Sequence, residues 1–206
     1  MGFWSWIEEH TSLVGLFVNM AMLVVWIMYL QLLLNGYRRL RQASILVTRG
    51  AGSGLGARCL ITNMSQEPIY VTSLIVEVRS NGTWNETQLT DMRDLPEELG
   101  SDPTSAMRQG SLERGQYLDI GHFSSLLDQL ASNDPEIRSA RDIDAVKITV
   151  VALYGPETLP VGAKRMFTID RNHENGSRVI PNSVRTEQIY RKRERRRLLK
   201  ELEKYL

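Results

Sequence analysis

From Leu13 to Leu34 the chain carries 22 residues of almost unbroken apolar character, roughly the length that crosses the hydrocarbon core of a bilayer as a helix. A helix apolar on every face needs either a membrane or a large surrounding core. The roughly 165 residues that follow are too few to supply that core. A cleaved signal peptide is also a poor match. Such a segment starts basic, holds about 7–15 apolar residues and ends at a small-x-small site. Here the flank is acidic, Glu8 and Glu9, and the exit reads Asn35-Gly36-Tyr37-Arg38-Arg39. The sequence therefore predicts a transmembrane helix over 13–34, with 1–12 on one side of the membrane and the rest on the other.

Orientation follows from where the cations lie, because Lys and Arg near a span stay on the cytoplasmic side. Arg38, Arg39 and Arg41 follow the span and only acids precede it. The expectation is an extracytoplasmic N-terminus carrying Trp4 and Trp6 in an interfacial belt, and a cytoplasmic C-terminal domain in a bacterial inner membrane. The single cysteine, Cys59, agrees, since it cannot form a disulfide within the chain. The sequons beginning at Asn63, Asn81, Asn85 and Asn175 matter only in a eukaryotic lumenal domain, so this orientation makes them chance matches. Inside the span, Gly15 and Asn19 are four apart and share one helix face. A small residue beside a polar one permits close approach and an interhelical hydrogen bond, so this pair is the candidate contact with a second helix. Asn19 bonding its own backbone and Gln31 reaching the headgroups is the plainer alternative.

Beyond the basic flank, short segments rich in Val, Ile, Thr and Tyr alternate with Gly, Asn, Pro and Asp, which is a β pattern. Strands are expected near 44–48, 58–62, 69–78, 83–89, 116–120, 146–153 and 164–169. In the third, Leu74, Val76 and Val78 face one way, with Ser73 and Glu77 opposite. The sixth is more continuously apolar, as suits a central strand. Seven short strands over 43–170 suggest an antiparallel, immunoglobulin-like β-sandwich. The fold class is thus mainly β, flanked by an N-terminal transmembrane helix and a C-terminal basic helix. Phe123, Leu126, Leu127 and Leu130 fall on one helical stripe, and Asp134-Pro135-Glu136 has the composition of a second helix start. Asp91–Arg114, rich in charge, Pro and Gly, is expected to be a long loop and a candidate recognition surface.

A polar linker is expected over 171–182 and a basic amphipathic helix over 183–206, opened by Pro181 and Asn182. Arg191, Lys192, Arg193, Arg195, Arg196 and Arg197 crowd around the lone acid Glu194, and Leu198, Leu202 and Tyr205 line one face. These residues form the candidate tail interaction site. In an up-and-down order of seven strands this helix would start at the far end of the domain, which disfavours its return to the bilayer.

The motifs that would carry chemistry fail on context. Gly52-Ser53-Gly54-Leu55-Gly56-Ala57 matches G-x-G-x-x-G/A, but that motif needs a helix at its last glycine, and Arg58–Thr62 reads as a strand. His10, His122, His173 and Cys59 have no ligand spacing, and His122 reads as a helix start. Cys59 on an apolar strand reads as a small buried hydrophobe. Asp91, Asp94, Glu97, Glu98 and Asp102 read as a solvated loop with nothing to shift a pKa. No catalytic, cofactor or metal site is expected. The reading is a membrane-anchored interaction or assembly module whose partners are the bilayer and another protein copy or membrane protein. Anionic lipid is a further candidate partner, and nucleic acid is disfavoured because Tyr190 alone supports it. A ligand-binding sensor, or an accessory subunit of a transporter or channel, is the alternative; a membrane-tethered nucleic-acid binder is the third.

Overall fold

The computed structural model describes residues 11–40, 42–50, 52, 54–89, 103–135, 137–155, 157–171 and 176–203. The chain divides into two compact units, one ending at Gln42 and one beginning at Ala43. Among its described residues the first holds one unbroken helix, α1 (Thr11–Leu40). Its 30 residues correspond to about 45 Å, longer than the roughly 30 Å of bilayer hydrocarbon. Its most apolar 18-residue stretch has a mean hydropathy of 2.3, and none of that stretch is buried in protein. Phe17 is 70% exposed and Leu32 67%. Gly36 does not end the helix, which runs six residues beyond Leu34 to Leu40. Among the described residues, one helix, near the N-terminus, is thus long and apolar enough to span a membrane.

The second unit is mainly β. Its strands are β1 (Ile45–Arg49), β2 (Arg58–Asn63), β3 (Ile69–Ser80), β4 (Thr83–Gln88) and β5 (Gly110–Leu112). After them come β6 (Tyr117–His122), β7 (Ile143–Tyr154), β8 (Val161–Asp170), β9 (Arg178–Pro181) and β10 (Glu187–Ile189). Its helices are α2 (Pro103–Met107), α3 (Phe123–Asn133) and α4 (Lys192–Glu203). A three-stranded sheet runs β1-β2-β6. A larger one runs β10-β8-β7-β3-β4, with β5 added to β3 and β9 to β8. All these pairings are antiparallel.

Period-two alternation turns one face of each sheet inward. Leu74, Val76 and Val78 of β3, with Val146, Ile148 and Val150 of β7, share one core with Val47, Cys59 and Ile61 of the smaller sheet. Phe123, Leu126, Leu127 and Leu130 of α3 are buried in the same core. Phe123 meets Phe167 of β8 edge to face at 5.1 Å. Continuous apolar sequence in β7 has a second cause, because its other face is covered too: Val151 joins Ile75, Ile189 and Leu198 in a smaller cluster beneath α4.

Each of the seven expected strands has a counterpart, and three further strands were not foreseen. β5 is three residues long and lies in the expected loop. β9 and β10 lie in the expected linker and the expected start of the tail helix. Both pair with β8, at Phe167–Asp170 and Gly162–Lys164, so 178–189 extends the sheet and α4 begins only at Lys192. Pro181 ends β9, a position where its missing N–H costs the sheet nothing. Asp134 also differs from expectation. It caps the end of α3 by donating its N–H to Leu130 O, and the next helical element is a 3-10 turn over Ala140–Asp142.

Candidate functional site

Three side chains lace the end of the chain to its first strand. Gln188 accepts from Ile45 N at 3.0 Å and donates from Nε2 to Ile45 O at 2.6 Å. Two residues earlier, Thr186 Oγ1 accepts from Val47 N at 3.0 Å and donates to Val47 O at 3.2 Å. Residues at alternate positions thus supply side-chain groups where a neighbouring strand would supply backbone, and they close the free edge of β1. Arg165 of β8 completes the corner. Its guanidinium, buried without a carboxylate partner among the described residues, donates to Val47 O at 2.6 Å and to the carbonyls of Ser183 and Val184 at 2.8 and 3.2 Å. Burial lowers its pKa, opposed by the nearby Cys59.

From this corner α4 passes over the outer face of the larger sheet. Leu198 sits against Gly162, where an added Cβ would lie 2.7 Å from Leu198 Cδ1 and 2.9 Å from Val150 O. Only a residue without a side chain admits the helix so closely. Arg195, 8% exposed, turns into the β7–β8 connection. Its Nε donates to Pro160 O at 2.9 Å, Nη2 to Leu159 O, and Nη1 pairs with Glu157 Oε2 at 3.2 Å. Beside the helix, the sheet face carries the ion pairs Lys147–Glu77 and Lys164–Glu187. The opposite side of α4 is exposed. There Lys192, Arg193, Arg196, Arg197 and Lys200 surround an open groove of about 520 Å³. Among the described residues none of these five cations joins an ion pair.

The expected tail site is therefore divided in two. Arg195 and Leu198, with Leu202 packed beside them, are committed to the sheet. Arg191 and four of the expected cations, Lys192, Arg193, Arg196 and Arg197, are exposed. Lys200 was missed, although its place eight residues after Lys192 sets it on the same face. Tyr205 lies outside the described residues. So do Asp91, Asp94, Glu97, Glu98 and Asp102, with Trp4, Trp6, Arg41, His10 and His173. Gly15 and Asn19 are both exposed on α1. The far-end position expected for the basic helix rests on an up-and-down order of seven strands; here β9 and β10 intervene before it, and Gln188, four residues before α4, is bonded to Ile45 at the start of β1.

The glycine segment forms the turn between β1 and β2. Gly52 and Gly54 have φ of +124° and +56°, and a Cβ on Gly54 would lie 2.3 Å from Ser177 O. A 3-10 turn and then β2 follow, so positive φ and close approach account for these glycines. His122 precedes α3 and places Nδ1 2.6 Å from Gly56 O. Asn63 is buried. It donates to the carbonyls of Glu67 and Leu112 and accepts from Ser65 N, so this sequon asparagine is part of the core. Among the described residues no cluster of His, Cys, Asp or Glu could hold a metal ion.

Cys59 has no solvent exposure. Desolvation raises its thiol pKa far above the usual range, with Asp119 adding to the rise and Arg165 opposing it. A thiol reacts as thiolate, so Cys59 should resist maleimide in the folded chain at neutral pH and react fully after urea unfolding. Stoichiometric labelling of the folded chain would contradict this burial. The sequence matches no protein-family model, and comparisons with curated proteins and with solved structures find no match either.

Proposed function

We propose that the protein is a single-pass membrane protein that presents a cytoplasmic domain as an interaction or assembly module. The domain is immunoglobulin-like in its layering, two antiparallel sheets over one core, and α4 is its basic amphipathic helix. The observation that carries the reading is α1, whose apolar side chains lie open to the surroundings while the domain from Ala43 onward has a complete core of its own. Arg38 and its basic neighbours after the span support the inward orientation. Gly15 and Asn19 offer a second helix a close approach and a hydrogen bond. The reading assigns no catalytic step.

Single cysteines introduced at exposed domain positions such as Tyr117 test the placement, because buried Cys59 stays silent. A membrane-impermeant maleimide should label them in broken cells and not in intact ones. Labelling of intact cells overturns the cytoplasmic placement. Purification from native membranes should recover a homo-oligomer or a stoichiometric partner, and a solitary monomer overturns the assembly reading. A stoichiometric multi-pass partner would favour the accessory-subunit alternative.

A further inference from the structure

We propose that the outward face of α4 binds anionic phospholipid headgroups of the membrane that α1 crosses, an inference that rests on reading α1 as a span. At about 100° per residue, Lys192, Arg193, Arg196, Arg197 and Lys200 fall within one arc opposite the side that docks Arg195 and Leu198 on the sheet. Glu203 closes that arc at the helix's end, while Glu194 and Glu201 sit at its flank. The fold thus holds five cations on one side of a fixed helix and leaves them unpaired among the described residues. Lys192 and Arg193 also lie in the first turn, where the helix dipole opposes positive charge. An anionic surface offsets that cost.

Tyr190 is 55% exposed and Leu199 38%. These side chains add an aromatic and an apolar group beside the cations, the mixture an interfacial helix uses. Chain connectivity supplies the reach. Ile45 follows the end of α1 by five residues, a tether of at most about 17 Å, and Gln188 is bonded to Ile45 four residues before α4 begins. A weak surface attraction is then an intramolecular event at high effective concentration. Nucleic acid, the other polyanion this face could meet, lacks the interleaved base-stacking side chains that its recognition favours.

The test uses the full chain in vesicles of phosphatidylcholine alone or mixed with about one third phosphatidylglycerol. An environment-sensitive fluorophore on Leu199→Cys reports contact, and Cys59 stays unlabelled. The expected result is a blue shift, with quenching by headgroup spin labels, only in the phosphatidylglycerol vesicles. It should vanish near about 0.5 M salt, where screening shortens to a few ångströms. Each cation removed should weaken the contact about fivefold at low salt, so R193E/R196E/R197E abolishes it. The triple glutamine variant provides the same reading if charge reversal disturbs folding. Equal signals in both vesicle types, or a signal kept by both triple variants, overturn the proposal. So does salt-sensitive binding of a single-stranded oligonucleotide without any phosphatidylglycerol response. Alkaline carbonate extraction separates the two readings: a released chain overturns the span itself, and a retained chain without signal overturns headgroup binding alone.

Discussion

Replacing Phe167 by alanine should destabilise the domain by about 3–5 kcal/mol, the usual cost of removing a fully buried ring. Phe167 is completely buried, paired with Val146 on one side and Pro181 on the other. Its ring also lies under the Arg165 guanidinium at 5.6 Å and against Phe123 at 5.1 Å. Truncation therefore leaves a void where the larger sheet, α3 and the Arg165 corner meet, and few neighbouring atoms can close it. The edge-to-face pair with Phe123 contributes about 0.5–1.5 kcal/mol beyond area alone. A double-mutant cycle with Phe123→Ala should thus show a combined loss smaller than the two single losses together. Urea unfolding of the detergent-solubilised chain, followed by near-UV circular dichroism, measures both. A loss below about 1 kcal/mol for Phe167→Ala would mean that the ring is not part of a continuous core.

What the sequence makes legible here follows from repetition. The apolar run of α1 needs no partner to be read, the long strand β3 carries enough alternating residues for its faces to be assigned, and the continuous apolar run of β7 marks a central strand. Phe123, Leu126, Leu127 and Leu130 repeat at helical spacing and are all buried in α3. Three- and four-residue strands contain less than two full alternations, so β5, β9 and β10 leave no period in the sequence. Their existence depends on a partner edge supplied elsewhere in the chain. The candidate surface was legible in composition and not in geometry. Consecutive cations mark a basic helix, and Arg195, three and seven residues before Leu198 and Leu202, is the one that shares their face, but spacing does not reveal what its guanidinium meets there. It meets Leu159 and Pro160, whose carbonyls are 36 and 35 residues away in sequence. The lacing of Gln188 and Thr186 onto β1 spans 143 and 139 residues, so no local pattern announces it.

Arg195→Ala should release α4 from the sheet at a cost of about 2–4 kcal/mol, because two carbonyl acceptors lose a charged donor at once. The helix is too short and too highly charged to persist by itself, since isolated helices below about 12–15 residues are marginal in water. Its release would uncover Ile75, Val151 and Ile189. Hydrogen exchange should therefore show amides 195–203 losing protection while β7 remains protected through its β3 and β8 ladders. Arg195→Lys should not rescue docking, because an ammonium cannot reproduce the planar fork that reaches both carbonyls and Glu157. Gly162→Val should produce the same loss from the other side of the contact, by placing a branched side chain where Leu198 and Val150 O leave no space. Agreement between the two variants would locate the docking contact in both surfaces. If α4 kept wild-type protection in Arg195→Ala, the apolar cluster around Leu198 would hold the helix unaided, and the buried guanidinium would serve only the β7–β8 connection.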